Sequence, residues 1–430
     1  MIDRVMILAL VGMGSLRRRR AGFGRITSDG RTLFRRGWVF AGLLFMLAPA
    51  LAAAPPDRER LAPAIERAGV YLNAAVGPDG QFVYRRWPDG RESKPGERYN
   101  VLRHAGTLYA LAIYDRSWRT DPAQRAALRR AGGFLRDCCL APPPHRPDLL
   151  AVWSPPEMEG AHKPLQAKLG GAGLGLAALL ELEKVEPDFT LLEDLRRLGR
   201  FTLYLQKPDG DFYAKYIPSR GGRRDDWVSL YYPGEAALGL ALLYERDPDP
   251  AWLRGAAAAL GYLARQRANQ TDIPADHWAL LATARLWPLL DGPVDLPLSR
   301  ASALQHTRQI VLAMLQEQDR VTGDPRLDGA FTPDGRTTPT ATRLEGLLAT
   351  LTFLPRQDDG LRARVEVAIH LGVRFMLRAQ IQSGSLAGGW PRVTPGGNEE
   401  KASPGDGAVR IDYVQHALGA LLQYDALFGR

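Results

Sequence analysis

Side chains that could transfer protons recur in this chain at the starts of six apolar segments. Three of these clusters are Arg103-His104, Asp276-His277 and the segment from Asp412 to His416. Histidine and tyrosine can act as base or acid, and arginine can stabilise the negative charge that develops on a carboxylate. The pattern therefore indicates proton transfer on an anionic ligand. The candidate catalytic residues are Arg103, His104, Tyr232, Glu235, His277, Arg343, Glu345, Tyr413 and His416.

Each of these residues also has a structural explanation. Asp276 and Thr342 could simply cap helices, and a single histidine is more often a hydrogen-bonded core residue than a catalyst. Glu235 and Glu345 are harder to explain in this way, because each is followed directly by Ala or Gly in an apolar segment. A carboxylate on a buried helix is unfavourable without a partner. A neighbouring arginine is the expected partner.

The six clusters begin segments of one kind, each of which continues into an apolar run rich in small residues. Successive segments are about 44 to 70 residues apart, a loose period typical of stacked supersecondary units. Between them lie segments with apolar residues at helical spacing and a charged stripe. Helices that are apolar on most sides are inner helices, and striped helices are outer ones. The outer helices are predicted at 61–76, 124–138, 191–206, 251–267, 301–318 and 361–380.

Six outer helices alternating with six inner ones predict an all-α fold, an (α/α)6 toroid of six helical hairpins. No run of period-two alternation is long enough to predict a sheet. The shortest step leads to His277, so the hairpin there is expected to be the most irregular. An open helical solenoid is the alternative, since TPR-like arrays have compatible repeats. The long repeat and the two unlike helix types favour the closed ring.

A ring of this kind would gather the polar clusters at one mouth. The inner helices of successive hairpins run parallel, so their N-terminal ends share one face of the ring. Those ends also supply unpaired N–H groups and the positive end of the helix dipole, which suit an anionic ligand.

Four loops after outer helices share a glycine followed by an aromatic residue, at 79–82, 209–212, 328–331 and 388–390. Asp-Gly is a turn signal, and such turns could lay an aromatic ring over the mouth, where it would stack on a sugar. Alternatively, they lock hairpins together, as the Gln-x-Gly-Trp repeats of terpene cyclases do. The candidate substrate-binding residues are Tyr84, Tyr99, Lys168, Tyr213, Trp390 and Asp412.

The composition excludes some classes of function. The chain has 430 residues, of which 45% are hydrophobic and 24% charged, as in soluble globular proteins. Part of the formal charge of +9 lies in the N-terminal region, and no dense Lys/Arg stripe follows, so nucleic-acid binding is not predicted. Cys138 and Cys139 are adjacent and cannot link distant elements. No Cys/His set has zinc spacing, so we predict neither a metal nor a cofactor.

The N-terminal region has the order of a secretory signal peptide. Arg35-Arg36 precede an apolar run over 37–54 that ends in small residues before Pro55. We therefore predict a leader and signal peptide over 1–54, a single toroid domain over 58–430, and a periplasmic or secreted location. A membrane anchor is the alternative, with membrane association through this segment, although the run is short for a spanning helix.

The chain resembles the α/α-toroid superfamily that contains six-hairpin glycosidases, polysaccharide lyases and glucuronyl C5-epimerases. The segment 375–380 leading to 388–394, and the segment 412–418, are similar to the C-terminal domain of the C5-epimerases. That resemblance implies a uronate-containing polysaccharide, tyrosine and carboxylate groups that exchange a proton at the sugar C5, and arginine that neutralises the uronate. In the last segment only Tyr413 and His416 match residue by residue. The β-rich N-terminal part of those epimerases is absent.

Several functions fit these observations. The leading hypothesis is an exported enzyme that acts on an acidic polysaccharide by proton abstraction, of epimerase or lyase type. A glycoside hydrolase is the second, and it requires two carboxylates that flank the bond. The third is a non-catalytic periplasmic glycan-binding or assembly protein. A terpene-cyclase relative is a distant fourth, with the acidic pair in 224–227 as its only support. The candidate hydrolase carboxylates are Glu235, Glu345, Asp226 and Asp412.

Overall fold

The computed structural model describes residues 55–56, 58–94, 98–118, 121–160, 162–394 and 405–429. They belong to one compact unit of the chain, Ala53–Arg430. The predicted leader and signal peptide, 1–54, lies outside the described residues, so it stays a prediction. Among the helices of these ranges, none is long and apolar enough to cross a membrane.

Outer and inner helices alternate along the chain, with one short extra helix, α4. In chain order the helices are α1 (Arg58–Ala74), α2 (Val101–Ser117), α3 (Pro122–Gly133), α4 (Pro156–Glu159), α5 (Leu169–Glu183), α6 (Leu192–Tyr204), α7 (Tyr232–Arg246), α8 (Pro250–Arg267), α9 (His277–Leu286), α10 (Arg300–Asp319), α11 (Thr337–Leu351), α12 (Asp359–Ala379) and α13 (Ile411–Phe428). The outer helices are α1, α3, α6, α8, α10 and α12. A π-helical turn, Phe134–Cys139, extends α3. The predicted outer helices are confirmed to within a few residues.

The six inner helices, α2, α5, α7, α9, α11 and α13, form a closed ring. Each contacts the next one, and α13 contacts α2. The toroid is therefore confirmed, and the open solenoid is wrong. Small residues let neighbouring helices approach closely: a Cβ atom on Gly173 of α5 would lie 2.4 Å from the backbone of Glu235 in α7. The irregularity expected near His277 is present, because α9 has 10 residues whereas the other inner helices have 15 to 18.

The aromatic residues of the four glycine loops are buried and do not cover the mouth. The glycines adopt positive φ and lie against carbonyl oxygens of the next outer helix. A glutamine at the end of the preceding outer helix bridges the two: Gln318 Nε2 donates to the carbonyl oxygens of Gly329 and Ala368, both at 3.1 Å. Gln206 and Gln380 make the equivalent pair of bonds. These loops lock adjacent hairpins together.

Gly329→Ala is expected to destabilise the ring far more than Gly323→Ala. Both glycines have φ near +90°, but a Cβ atom on Gly329 would lie 2.1 Å from the carbonyl oxygen of Leu371, whereas nothing lies within 4 Å of one on Gly323. The positive φ alone costs about 1–2 kcal/mol, and the clash at Gly329 adds about 1–3 kcal/mol. Urea unfolding of both variants measures the difference. Equal losses would show that the close approach to α12 contributes nothing.

A five-stranded antiparallel sheet in the wall of the ring was not predicted. Its strands pair in chain order: β2 (Leu140–Ala141), β3 (Ala151–Ser154), β4 (Gln166–Lys168), β5 (Lys215–Ile217) and β6 (Gly222–Arg224). The strands have two to four residues, and all of β3 is buried, so no alternation of polar and apolar residues marks them. β3 contacts α5, α6 and the π-helical turn. The sheet thus fills the wall between these elements.

Candidate active site

A cavity of about 510 Å³ opens at the N-terminal ends of the inner helices. Its walls combine side chains from the first two turns of the inner helices with residues from the connecting segments. The lining residues are Asn100, Leu102, Arg103, Leu174, Trp227, Tyr231, Tyr232, Glu235, His277, Trp278, Arg336, Thr338, Pro339, Thr342, Arg343, Arg392, Arg410, Asp412, Tyr413, Gln415 and His416.

The cavity gathers most of the residues that the sequence singled out, although they are distributed over more than 300 residues of chain. Glu345 lies directly behind the lining, where it contacts His416. The parallel inner helices account for this convergence, since their first turns face one common space. The predicted site residues that line the cavity are Arg103, Tyr232, Glu235, His277, Arg343, Asp412, Tyr413 and His416.

His416 and Glu345 form a hydrogen-bonded pair beside His277. His416 Nδ1 lies 2.7 Å from Glu345 Oε2, and His277 Nε2 lies 3.8 Å from the same oxygen. Gly419 makes room for the carboxyl group, because a Cβ atom there would lie 2.4 Å from Glu345 Oε1. Burial raises the pKa of Glu345, and the bond to His416 opposes that rise. A carboxylate that accepts from Nδ1 orients the ring and leaves Nε2 as the basic nitrogen.

His277 is almost fully buried, and neither ring nitrogen has a hydrogen-bond partner among the described residues. Burial, together with the nearby His416 and Arg343, holds its pKa well below the usual range, so the ring is neutral. It packs edge-on against Tyr231 and His416, with ring centroids 5.3 Å apart in both cases. A neutral, unpaired imidazole at the cavity wall is free to bond a hydroxyl group of a ligand.

His277, Glu345 and His416 are also residue types that bind metal ions. One ligand atom from each lies within 4.8 Å of the other two. Two histidines and a carboxylate match the donor set of catalytic zinc sites. The 2.7 Å separation of His416 Nδ1 and Glu345 Oε2 is, however, that of a hydrogen bond. A metal ion would have to replace that proton.

Glu235 is a buried carboxyl group in the cavity wall. It is 6% exposed, and its Oε2 has no hydrogen-bond partner in the described part of the chain. Burial, with a smaller contribution from Asp276, raises its pKa to about 8. Gly170 of α5 admits the group, since a Cβ atom there would lie 2.1 Å from Glu235 Oε2. Glu235 is therefore a neutral acid at pH 7 that can donate a proton.

Asp412 is an ionised carboxylate between two arginines. Its oxygens lie 3.1 Å from Arg103 Nε and 2.5 Å from Arg410 Nε. Burial alone would raise the pKa of Asp412, but Arg103 and Arg410 together hold it below its usual value. Tyr84 lies behind the lining and accepts a 2.5 Å hydrogen bond from Arg103. Tyr84 thus orients the arginine.

Arg343 lies deeper in the site than most of the other lining arginines. Its side chain is 14% exposed, and its Nε donates to Glu317 at 2.7 Å. Tyr232 is also buried in the cavity wall, where burial and the adjacent Glu235 raise the pKa of its hydroxyl. Tyr232 is therefore a hydrogen-bond donor rather than a base.

A buried ion pair fixes the start of α9 and hence His277. Asp276 caps the helix by accepting from the N–H of Ala279, and its other oxygen lies 2.9 Å from Arg267. Arg267 also lies 3.2 Å from His306 Nε2. The sequence allowed Asp276 to be a helix N-cap, and the structure confirms that role. Leaving either charge alone in this interior would be strongly unfavourable.

His104 and Tyr99 do not reach the cavity, so their assignment to the site needs correction. His104 is fully buried, accepts from Tyr99 at Nδ1 (2.7 Å) and donates from Nε2 to the carbonyl oxygen of Ala131 (2.9 Å). Burial lowers its pKa to about 4. Phe82 and Phe134 pack around the ring. The structure places His104 as a core histidine between α2 and α3.

Three further candidates lie outside the cavity lining. Lys168, at the end of the central strand β4, pairs with Glu159. Tyr213 packs beneath Lys207 and Arg223. Trp390 is fully buried and donates to the carbonyl oxygen of Met376, so it is part of a hairpin lock.

Several lining residues were not among the predicted site residues. Arg336, Arg392 and Arg410 precede inner helices or follow the last lock, and Trp227 and Trp278 supply aromatic surface. The one available signal was their position next to predicted residues. Asp226, a candidate hydrolase carboxylate, is exposed and absent from the lining.

No family model matches this chain, and no curated protein matches it by sequence. Solved structures match along most of its length. A cellobiose 2-epimerase from Spirochaeta thermophila has 17% identity and a TM-score of 0.61, covering 86% of this chain and 97% of its own. A D-mannose isomerase has 13% identity and a TM-score of 0.59, with coverages of 87% and 100%. An unsaturated glucuronyl hydrolase from Streptococcus agalactiae has 12% identity and a TM-score of 0.52, with coverages of 86% and 93%.

These similarities show that the chain has the same (α/α)6-toroid fold as those proteins. The resemblance that the sequence indicated is confirmed at that level. Fold similarity at such low identity does not by itself carry a reaction from one protein to another.

Proposed function

We propose that this protein is a carbohydrate-active enzyme that removes a proton from a uronate residue of an acidic polysaccharide or oligosaccharide, as an epimerase or a lyase. The observation that carries the proposal is the His416–Glu345 pair beside the unpaired His277, in a cavity that five arginines line. A carboxylate-oriented histidine is a general base, and arginines suit a carboxylate substrate.

In the first step, His416 Nε2 takes the proton from the sugar C5, next to the carboxylate of the substrate. The electron pair of the broken C–H bond moves into that carboxylate, where negative charge builds up. Arg343 and Arg103, which both line the cavity, would stabilise this charge. Glu345 accepts the hydrogen bond from Nδ1 and stabilises the imidazolium that forms.

Glu235 can act as the acid that completes either an epimerisation or an elimination. A carboxyl group with its pKa near 8 is protonated at neutral pH, so it can return a proton to C5 from the other face and complete an epimerisation. Alternatively, it can protonate the oxygen that leaves C4, which completes an elimination. Both routes need one base and one separate acid.

Three of the four candidate carboxylates are poorly suited to hydrolysis. Asp412 is held by two arginines, Glu345 is bonded to His416, and Asp226 lies outside the cavity. A hydrolase needs an acid and a second carboxylate that can act as a nucleophile or activate water. Only Glu235 remains free, and this favours histidine-based proton transfer over hydrolysis.

The similar structures include enzymes of the proposed class as well as hydrolases. Two of the three proteins are by name an epimerase and an isomerase, and the third acts on a glucuronyl group. An epimerase and an isomerase on this ring support a proton-transfer reaction on a sugar as the proposed activity. The uronate preference proposed here rests on the arginines of this chain.

Export to the periplasm or the medium is part of the proposal. It rests on the order of charged, apolar and small residues over 35–54. N-terminal sequencing of exported protein would show cleavage near residue 54, whereas an intact N-terminus would favour an anchor.

Deuterium exchange tests the proposed reaction. The protein is incubated in D₂O with oligosaccharides from alginate, pectate and heparosan, and proton NMR follows the H5 signals while ultraviolet absorbance follows unsaturated products. We expect deuterium at C5 or an unsaturated uronate, with the rate unchanged after chelator treatment. New reducing ends without either signal would establish hydrolysis. Binding without any reaction would support the glycan-binding alternative, and activity that zinc restores after chelation would assign the histidine cluster to a metal.

A further inference from the structure

The segments that contain Arg336, Arg392 and Arg410 lie next to one another, and all three residues line the cavity. The N–H of Thr337 donates to the carbonyl oxygen of Arg392, and the N–H of Arg392 donates to that of Ala408, both at 3.1 Å. The last segment continues as strand β7 (Val409–Arg410), which pairs with β1 (Arg85–Arg86). Backbone pairing between separate parts of the chain therefore holds these three segments together.

Local aspartates orient two of these side chains without covering them. Arg336 Nε lies 2.7 Å from Asp334, and one terminal nitrogen of Arg392 lies 2.5 Å from Asp406. The two arginine side chains are still 43% and 46% exposed. Each guanidinium has five N–H donors, so a single aspartate leaves donors available to a ligand.

Arg410 connects the rim arginines, Arg336 and Arg392, to the reaction centre. It bonds Asp412 in a bidentate manner and stacks 4.5 Å above the ring of Tyr413. Its side chain is 17% exposed, and it lines the same cavity as His416. Arg410 thus shares one cavity with both the rim arginines and the proposed base.

Fold stability does not explain this arrangement. Surface arginine–aspartate pairs contribute about 0–1 kcal/mol each, and Arg336 and Arg392 have no part in the proposed proton transfer. Planar guanidinium groups bind carboxylates in a bidentate geometry. The cavity volume also falls in the range of sites that enclose ligands larger than a single sugar ring, about 300–1,000 Å³.

We propose that Arg336 and Arg392, continued inwards by Arg410, bind the carboxylate of the sugar residue next to the one that reacts. The substrate would then carry uronates on successive residues, and the enzyme would select it by the second charge. This inference rests on the proposed function and goes beyond it by naming what the neighbouring sugar must carry.

The test compares mono-, di- and trisaccharides of uronate with the double variant R336Q/R392Q. In the wild type, we expect the affinity for the disaccharide, measured by calorimetry, to exceed that for the monosaccharide by about tenfold or more. The double variant should lose this gain and keep its affinity for the monosaccharide. Arg91→Gln is the matched control, since Arg91 also pairs with an aspartate two residues earlier but lies outside the cavity lining.

The outcomes separate this inference from the proposed function. Suppose that the wild type reacts with oligouronates but the double variant still binds the disaccharide more tightly than the monosaccharide by the same factor. The proposed carboxylate site at the rim is then wrong, while the proposed reaction is unaffected. If the double variant loses affinity equally for the monosaccharide and the disaccharide, the rim site is also wrong, because such a loss indicates a general effect of removing positive charge. If the wild type neither binds nor exchanges any oligouronate, the proposed substrate class itself fails.

Discussion

Replacing His416 with Gln is expected to lower the turnover of the folded enzyme by about 10²–10⁴-fold, the usual contribution of a general base. Glutamine fills a similar space but cannot take the C5 proton. The Glu345→Gln variant should show a loss of similar size for a different reason. The glutamine amide can donate to Nδ1 of His416, which places the ring proton on Nε2 and blocks the base. Both variants are measured by deuterium exchange at C5 and by calorimetric binding.

His104→Gln provides the matched contrast. His104 also lies near the start of an inner helix, but it bonds Tyr99 and the carbonyl of Ala131 inside the core. We expect a lower melting temperature and near wild-type turnover per folded molecule. If His416→Gln behaves like His104→Gln, with stability lost and catalysis retained, His416 is a core residue and the proposed mechanism is wrong.

Replacing Glu235 with Gln is expected to abolish most of the turnover and also to stabilise the protein above pH 5. Burial raises the pKa of Glu235 to about 8, against 4.5 for an ordinary glutamate. Below pH 4.5 both folded and unfolded chains carry the proton. Between pH 4.5 and 8 only the folded state keeps it, so the free energy of unfolding falls as the pH rises through this window. Above pH 8 the effect is constant.

Glutamine does not titrate, so the stability of Glu235→Gln relative to the wild type should grow across the same window, by about 3–5 kcal/mol at pH 8. Urea unfolding at pH 5 and pH 8 measures this gain, with the exposed Glu157→Gln as the control. The wild-type rate should also decline above about pH 8, as the acid loses its proton. A pH-independent difference in stability would show that Glu235 is ionised in the folded protein.

The hairpin architecture could be predicted because its causes are local. An inner helix is surrounded by other helices, so it must be apolar and small on most sides, and an outer helix must keep a charged stripe. The direction of the chain then decides that all inner helices begin at the same end. For this reason the position of the site, though not its composition, followed from the order of the segments.

The sequence could not predict how each inner helix is rotated about its own axis, and hence which of its side chains face the cavity. Arg103 and His104 are neighbours in α2, yet one reaches the cavity and the other lies in the core. A helix that is apolar all round has no polar face to indicate which direction a residue in its first turn will point. The same uncertainty applied to Lys168 and to Trp390, because their partners, Glu159 and the carbonyl of Met376, lie on other elements of the fold.

The sequence by itself determined the ring of helical hairpins, the alternation of its layers and the end at which polar groups collect, since helical periodicity and chain direction are properties of short segments. Only the tertiary structure decided which groups meet. The contact between Glu345 and His416 and the isolation of Glu235 depend on how neighbouring hairpins pack. The positions of Arg336, Arg392 and Arg410 depend on backbone pairing between separate segments, and the pair of Arg103 with Asp412 depends on closing the ring. Packing and closure bring together residues tens to hundreds of positions apart, and their mutual distances set their charge states and their chemistry.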